Sequence, residues 1–243
     1  MKLIVLNNYD EVSLEAAKIF IDQVNNKPNS VLCLATGSTP VGMYRELARA
    51  NKAGGVDFAK VTTVNLDEYY PISPEHPQSY RYFMNDNLFN HINIPIENTH
   101  VPNGAAENAA VACTTYDRLI EQVGGIDLAL LGVGNNGHIA FNEPGETLTV
   151  GTHRETLTEN TREANSRFFD SMDEVPTHAL TMGMGNILSA NKIVILATGK
   201  AKADAVKAML DDKITTNCPA TLLKVHKDVT LICDRAAFEG KDL

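Results

Sequence analysis

The chain has few cysteines, few basic residues and no long apolar run, and each shortage excludes a class of protein. The four cysteines form no CxxC pair and most lie in or near apolar segments, so reduced, buried thiols are expected. No apolar run reaches the length of a membrane span, and the apolar start, Met1–Leu6, is too short for a signal peptide. A cytoplasmic protein without a membrane partner is therefore expected.

The charge balance is acidic, with a formal net charge of −9. Nucleic-acid binding is disfavoured, because a basic face carries most of that affinity. An acidic protein can still bind an anionic metabolite if it offers a local basic site or a helix N-terminus. The 243 residues suit one large α/β domain or two small ones, and an apolar fraction of 44% permits a substantial core.

Short apolar runs alternate with helical patterns along the chain. The runs are rich in Val, Ile and Leu, as in strands buried on both faces: Leu3–Leu6, Val31–Ala35, Val61–Leu66, Ile126–Val133, Lys192–Ala197 and Val229–Cys233. Helical periodicity marks the segments between several of them: Ser13–Val24, Pro40–Ala53, Ala105–Val123 and Ala201–Leu210. This alternation predicts a doubly wound α/β fold, with a mostly parallel, Rossmann-like sheet and helices on both faces.

One stretch departs from the alternation. No convincing strand pattern occurs between Val133 and Lys192, and the distance exceeds that of a simple crossover. We therefore expect a single domain over residues 1–243, with a lid-like segment within residues 144–185.

Ligands of open α/β sheets bind at the carboxyl ends of the strands, and several predicted strand ends carry polar motifs. The second run leads into Thr36, Gly37, Ser38 and Thr39, just before a helix that starts near Pro40. Glycine lets the backbone approach a ligand closely, while hydroxyls and free N–H groups suit a phosphate, aided by the helix dipole. The alternative is an ordinary strand–turn–helix junction capped by Ser or Thr.

Two acids, Asp67 and Glu68, follow the third run, where a catalytic base would be held rigidly. A helix cap or a solvated turn would explain them as well. A fifth run ends before Lys200 and Lys202, at the start of a predicted helix. Cations there oppose the helix dipole, so either a bound phosphate balances them or they are simply solvated.

The fourth run leads into a glycine-rich turn with His138 and Glu143 five residues apart. Such a pair can act as a proton shuttle, with the imidazole oriented by the carboxylate, although a structural histidine is the alternative. The glycine spacing is not GxGxxG, so no dinucleotide cofactor is indicated.

Several segments resemble the glucosamine-6-phosphate deaminase family: Leu66–Tyr69, Glu75–Tyr80, Gly137–Pro144 and Thr161–Phe169. The resemblance runs from the first strand to about Asp234. It implies an enzyme of amino-sugar catabolism that converts glucosamine-6-phosphate and water to fructose-6-phosphate and ammonia. It implies no nicotinamide, pyridoxal phosphate or metal, because no step of this reaction needs a redox group or an electron sink.

The resemblance also implies roles for single residues. Asp67 matches the base that moves the proton from sugar C2 and is expected to be ionised at pH 7. His138 matches the base that opens the pyranose ring, and Glu143 the carboxylate that works with it. Asn136 falls at a third ring-opening position, which is aspartate in some members. An amide hydrogen-bonds but carries no charge, so His138 and Glu143 must carry more of the proton relay.

The implied phosphate-binding set comprises Arg167 and Lys202 together with the loop at residues 36–39. The resemblance is to the short, non-allosteric type of member. Other members are hexamers activated by N-acetylglucosamine-6-phosphate, which binds basic residues after the Asn-Glu-Pro motif. Here the aligned positions hold His153 and Glu155, and a carboxylate repels a phosphate. Hyperbolic kinetics without activation are expected, and both a monomer and a homo-oligomer fit the sequence.

There are three other interpretations, of which two are enzymes on a related fold and the third is a sensor. A 6-phosphogluconolactonase or a ribose-5-phosphate isomerase would keep the phosphate loop, but a lactonase need not shift a C2 proton and leaves Asp67 and His138–Glu143 unexplained. A non-catalytic sugar-phosphate sensor usually carries a DNA-binding segment, and no helix-turn-helix or basic stretch precedes the first strand.

Overall fold

The computed structural model describes residues 1–166, 169 and 171–240. Its strands, in chain order, are β1 (Lys2–Leu6), β2 (Val31–Leu34), β3 (Thr62–Asn65), β4 (Asp67–Tyr70), β5 (Thr99–His100), β6 (Leu128–Gly132), β7 (His153–Thr156), β8 (His178–Thr181), β9 (Lys192–Ala197) and β10 (Val229–Asp234). Within these described ranges, the central sheet has seven strands in the order β1-β10-β9-β6-β2-β3-β5. Every pairing in it is parallel.

Both faces of the central sheet are covered. All four residues of β2 and the first four residues of β6 are buried. Successive side chains of a strand point to opposite faces, so an unbroken buried run requires packing on both sides. The helices are α1 (Tyr9–Asn26), α2 (Val41–Lys52), α3 (Tyr80–Asn87), α4 (Ala109–Gln122), α5 (Glu159–Ser166), α6 (Met184–Leu188), α7 (Ala203–Leu210) and α8 (Arg235–Phe238). The predicted fold class is confirmed.

Helix α1 illustrates how the sequence encodes these elements. Asn8 caps it, with its side-chain oxygen accepting a hydrogen bond from the Glu11 N–H at 3.0 Å. Val12, Ala16, Phe20 and Val24 recur every four residues and are all buried on one face. Complete burial of a side chain the size of Phe20 contributes roughly 1.5–3 kcal/mol, so the apolar face holds this helix in the fold.

Two helices begin at residues other than those predicted from the sequence. The helix predicted over Ala105–Val123 begins at Ala109, because the Asn108 side chain accepts the Val111 N–H at 3.1 Å and caps it there. The helix predicted from Ala201 begins with a 3-10 turn over Lys200–Lys202, and α7 follows.

A second sheet was not predicted from the sequence. Strands β4, β8 and β7 pair antiparallel in that order, so the expectation of no strand between Val133 and Lys192 is wrong. The sequence of β7 is entirely polar, and only alternate residues are partly buried. Pairing with β8 supplies its backbone hydrogen bonds, and no local apolar pattern encodes such a partner.

The polar motifs follow β2, β3, β6 and β9, which are neighbours in the sheet order β9-β6-β2-β3. Because these strands are parallel, their carboxyl ends meet at one edge. The chain proceeds from β2 outward to β3 and β5, then returns to β6 on the other side of β2. This reversal is the position at which open α/β sheets bind ligands. Among the described residues, no helix is both long enough and apolar enough to span a membrane.

Candidate active site

A pocket of about 770 Å³ opens at this edge of the sheet. It brings together these residues that the sequence analysis selected: Thr36, Gly37, Ser38, Thr39, Asp67, Asn136, His138, Glu143 and Lys202. Arg167, the remaining predicted site residue, lies outside the described residues. Residues from four separate strand ends therefore share one cavity.

The loop at residues 36–39 is fastened to α1. The Tyr9 hydroxyl donates to the Ser38 carbonyl at 3.0 Å and accepts from the Gly42 N–H at 2.7 Å. The loop runs directly into α2, whose first-turn N–H groups favour an anion nearby. The residues of this loop line the pocket, where they suit a bound phosphate.

Lys202 lies on the same pocket, after β9. Burial lowers the pKa of its ammonium group, because charge is disfavoured away from water. A bound anion would stabilise the charged ammonium group and offset the cost of its burial. Asp234, at the end of β10, holds the turn before Lys202, because both of its carboxylate oxygens accept the Gly199 N–H at 3.0 Å.

Asp67 is the first residue of β4, two positions after β3 ends, and only 6% of it is exposed. Burial, followed by the charge of the neighbouring Glu68, raises its pKa to about 8. The expectation that Asp67 is ionised at pH 7 is therefore wrong for the free site.

The turn after β6 is shaped by glycines whose places no side chain can take. A Cβ atom on Gly134 would lie 2.4 Å from the His138 ring, so the imidazole packs directly on the backbone. Gly137 has a φ of 84°, and a Cβ atom there would meet the Cys218 sulfur. These close approaches place the His138 side chain at the pocket.

His138, Glu143 and Asn136 form a connected group. His138 Nδ1 lies 3.3 Å from Glu143 Oε1, an ion-pair distance without a well-aligned hydrogen bond. The Asn136 amide donates to Glu143 Oε2 at 2.7 Å, and its oxygen accepts the His138 N–H at 3.1 Å. Asn136 therefore joins the carboxylate to the histidine backbone through an uncharged bridge.

Aromatic side chains line the pocket in addition to the polar residues. Tyr80, the first residue of α3, and Phe141 both face it, with parallel rings at a centroid distance of 6.3 Å. Tyr69 lies behind Tyr80, at a centroid distance of 4.8 Å. Sequence reasoning assigned no role to Tyr80 and Phe141, although both belong to the segments that carry the family resemblance. Asp234 was missed too, yet an acid at a strand end was the signal that selected Asp67.

Two further regions bear on the sequence analysis. Within the part of the chain that the structure describes, no three His, Cys, Asp or Glu side chains are grouped as metal ligands. On β7, His153 Nε2 lies 3.3 Å from Glu155 Oε2, so these side chains contact each other at the aligned effector positions.

Proteins of known activity match the chain along nearly its whole length. A family model described as glucosamine-6-phosphate isomerases/6-phosphogluconolactonase matches residues 8–232. A glucosamine-6-phosphate deaminase of Clostridium perfringens is 59% identical over 237 residues, which cover 98% of each chain. One from Thermoanaerobacter is 55% identical, covering 98% of this chain and 94% of that one. The chain belongs to the glucosamine-6-phosphate deaminase family.

Solved structures extend the comparison. A monomeric glucosamine-6-phosphate deaminase superposes on this family member with a TM-score of 0.96 and 45% identity, covering 99% of this chain and all of that one. A 6-phosphogluconolactonase from Thermotoga maritima has a TM-score of 0.76 at 20% identity, covering 96% and 99%. This second likeness concerns the fold alone. The fold therefore does not distinguish a deaminase from a lactonase, and the side chains of the pocket must.

Proposed function

We propose that this chain converts glucosamine-6-phosphate and water to fructose-6-phosphate and ammonia. The observation that carries the proposal is the convergence of a buried acid, Asp67, and the His138–Glu143 pair on one pocket. The loop at residues 36–39 and Lys202 line the same pocket and suit the phosphate of the substrate.

Ring opening is the first chemical step. The substrate is a cyclic hemiacetal, so the proton of its anomeric hydroxyl must reach the ring oxygen as the C1–O5 bond breaks. His138 takes the first proton and delivers one to the ring oxygen, while Glu143 at 3.3 Å stabilises the imidazolium in between. Asn136 restrains Glu143 through its 2.7 Å hydrogen bond and adds no negative charge. The negative charge of Glu143 therefore remains next to His138, where it stabilises the imidazolium.

Isomerisation and deamination follow. Asp67 in its ionised form takes the C2 proton, and the C1 carbonyl oxygen takes up a proton from the ammonium group on C2, which gives an enolamine. Return of a proton to C1 gives a ketimine at C2, and water hydrolyses it with release of ammonia. The raised pKa makes Asp67 a strong base for a carboxylate, and an ammonium group on C2 would favour its ionised form in the complex. Fixing the substrate against this base supplies much of the remaining rate enhancement.

The proposal also includes a lid over the pocket and a cellular compartment. We expect a lid within residues 144–185, because this segment follows the catalytic turn directly and its Thr158 lines the pocket. We place the enzyme in the cytoplasm, as a hydrolase of N-acetylglucosamine degradation. The four free cysteines are compatible with that compartment.

The experiment is a coupled assay of ammonia and fructose-6-phosphate with the pure protein and glucosamine-6-phosphate. Equal amounts of both products are expected, and neither product from N-acetylglucosamine-6-phosphate, whose nitrogen is acylated. 6-Phosphogluconolactone serves as the competing substrate. Its rapid hydrolysis without ammonia release from the amino sugar would assign the chain to lactonase chemistry instead.

A further inference from the structure

The proposed mechanism leaves one buried carboxyl group of the site without a role. Glu68 follows Asp67 in β4, and only 2% of it is exposed. Burying a carboxylate costs several kcal/mol unless hydrogen bonds compensate. Glu68 receives such bonds from three backbone N–H groups: Tyr69 at 2.9 Å, Tyr80 at 2.8 Å and Arg81 at 3.0 Å.

Two of these donors are the first N–H groups of α3, which begins at Tyr80. They have no carbonyl partner within the helix, and the positive end of the helix dipole favours an anion there. Ser79 caps the same helix independently by accepting the Tyr82 N–H at 3.0 Å. Glu68 therefore holds the start of α3 against β4, the strand whose first residue is Asp67.

The fastened end of α3 carries part of the pocket wall. The Tyr80 ring lies parallel to Phe141, tilted by only 5°, and both line the pocket. Tyr80 is the residue whose N–H Glu68 binds most closely. Loss of that bond would let the aromatic wall shift against the substrate.

We propose that Glu68 is a positioning residue of this site, which holds Tyr80 at the pocket wall and places a negative charge beside Asp67 that strengthens it as a base. The proposal rests on the proposed function, with Asp67 as the base at C2. Glu68 itself does not touch the reacting atoms.

Among the described residues, Glu68 is the charged neighbour that raises the pKa of Asp67. Other titratable groups there that interact with Asp67 include Cys33 on β2, Tyr116 on α4, Tyr69 on β4 and Tyr80 on α3. Burial raises the pKa of each of them, so they remain neutral near pH 8.

Arg81 interacts electrostatically with Glu68, but its guanidinium is bound elsewhere. It donates to the Thr99 hydroxyl and carbonyl, both at 2.8 Å. Three backbone N–H groups donate to the Glu68 carboxylate and lower its pKa against the effect of burial, whereas burial and the charge of Glu68 both raise the pKa of Asp67. These donors favour a charged Glu68 beside Asp67.

The test compares the pH dependence of kcat/KM for the wild type, Glu68→Gln, Glu68→Asp and Ser79→Ala. Removal of the charge in Glu68→Gln should move the ascending limb to lower pH by about one unit and lower the plateau kcat severalfold, since Asp67 becomes a weaker base. Ser79→Ala removes a cap of α3 without changing charge, so it should leave the limb in place. The amine and phosphate of the substrate titrate equally for all variants, so differences between them report the protein.

Glu68→Asp keeps the charge but is one methylene shorter, so it cannot reach all three N–H groups. It should keep the limb within about 0.3 pH unit and raise KM severalfold, because Tyr80 is no longer held. An unmoved limb in folded Glu68→Gln overturns the proposal. If that variant does not fold, a wild-type KM in Glu68→Asp overturns it. Failure of the wild type to release ammonia would instead count against the proposed function.

Discussion

Replacement of Asp67 by asparagine should separate stability from activity. Asp67 is only 6% exposed, and burial raises the pKa of its carboxyl group from an ordinary 3.8 to about 8. Between these values the unfolded chain has lost the proton and the folded chain keeps it. The unfolded state therefore binds fewer protons, and the free energy of unfolding must fall as the pH rises from about 4 to about 8. Asparagine does not titrate, so the variant escapes this loss.

The size of the effect follows from the pKa. A rise from 3.8 to about 8 corresponds to about 6 kcal/mol at the upper limit, at about 1.4 kcal/mol per pKa unit. Even one third of this amounts to about 2 kcal/mol. A chain of this length gains roughly 2–4 °C in Tm per kcal/mol, so the Tm difference between Asp67→Asn and wild type should grow by about 5 °C between pH 4.5 and pH 8.5.

The assay combines thermal unfolding at these two pH values with the ammonia assay. Asp67→Asn should lose deamination by about two orders of magnitude or more while it gains stability at alkaline pH. Asp22→Asn is the matched control, because Asp22 is exposed on α1 and its substitution should change neither quantity. A Tm difference that is the same at pH 4.5 and pH 8.5 would refute the burial argument. Near-normal turnover in Asp67→Asn would remove it from the role of base.

Three further outcomes are expected. His138→Gln should slow the cyclic substrate by about a hundredfold and an open-chain analogue far less, as measured by initial rates on both; equal slowing would refute its part in ring opening. Lys202→Ala should weaken binding of glucosamine-6-phosphate at least tenfold and hardly affect unphosphorylated glucosamine, measured by calorimetry; equal weakening would exclude a phosphate contact. Rates against substrate should be hyperbolic and insensitive to N-acetylglucosamine-6-phosphate, because Glu155 contacts His153 at 3.3 Å where an effector phosphate would need a cation; a sigmoidal curve that this compound makes hyperbolic would contradict the reasoning.

The central sheet could be predicted because its signal is local. Val31–Leu34 and Leu128–Leu131 are short, continuous apolar runs, as is typical of strands buried on both faces. Most of the candidate site residues were selected for a related reason, whereas Asn136 and Arg167 came from the family resemblance. A parallel sheet places its ligands at the carboxyl ends of strands, so polar residues that follow an apolar run are candidates wherever the strands lie in the sheet.

The second sheet could not be predicted, because its strands are specified by their partners. His153–Thr156 has no apolar residue, and its place in the sheet comes from pairing with β8, more than twenty residues away. The 3-10 turn over Lys200–Lys202 likewise depends on Asp234, which binds the Gly199 N–H from another strand.

The sequence by itself determined the strands of the central sheet, most of the helices around it and the side chains that follow them, since periodicity, caps and strand ends are properties of neighbouring residues. Only the tertiary structure decided the chemistry of those side chains. Asp67 looks ionised in the sequence, but burial beside Glu68 keeps its proton to about pH 8. In the sequence, Asn136 stands where some family members have aspartate, but in the fold it forms the bridge between Glu143 and the His138 backbone. Both properties arise from solvent exclusion and from contacts between groups that the fold brings together, and no pattern along the chain records them.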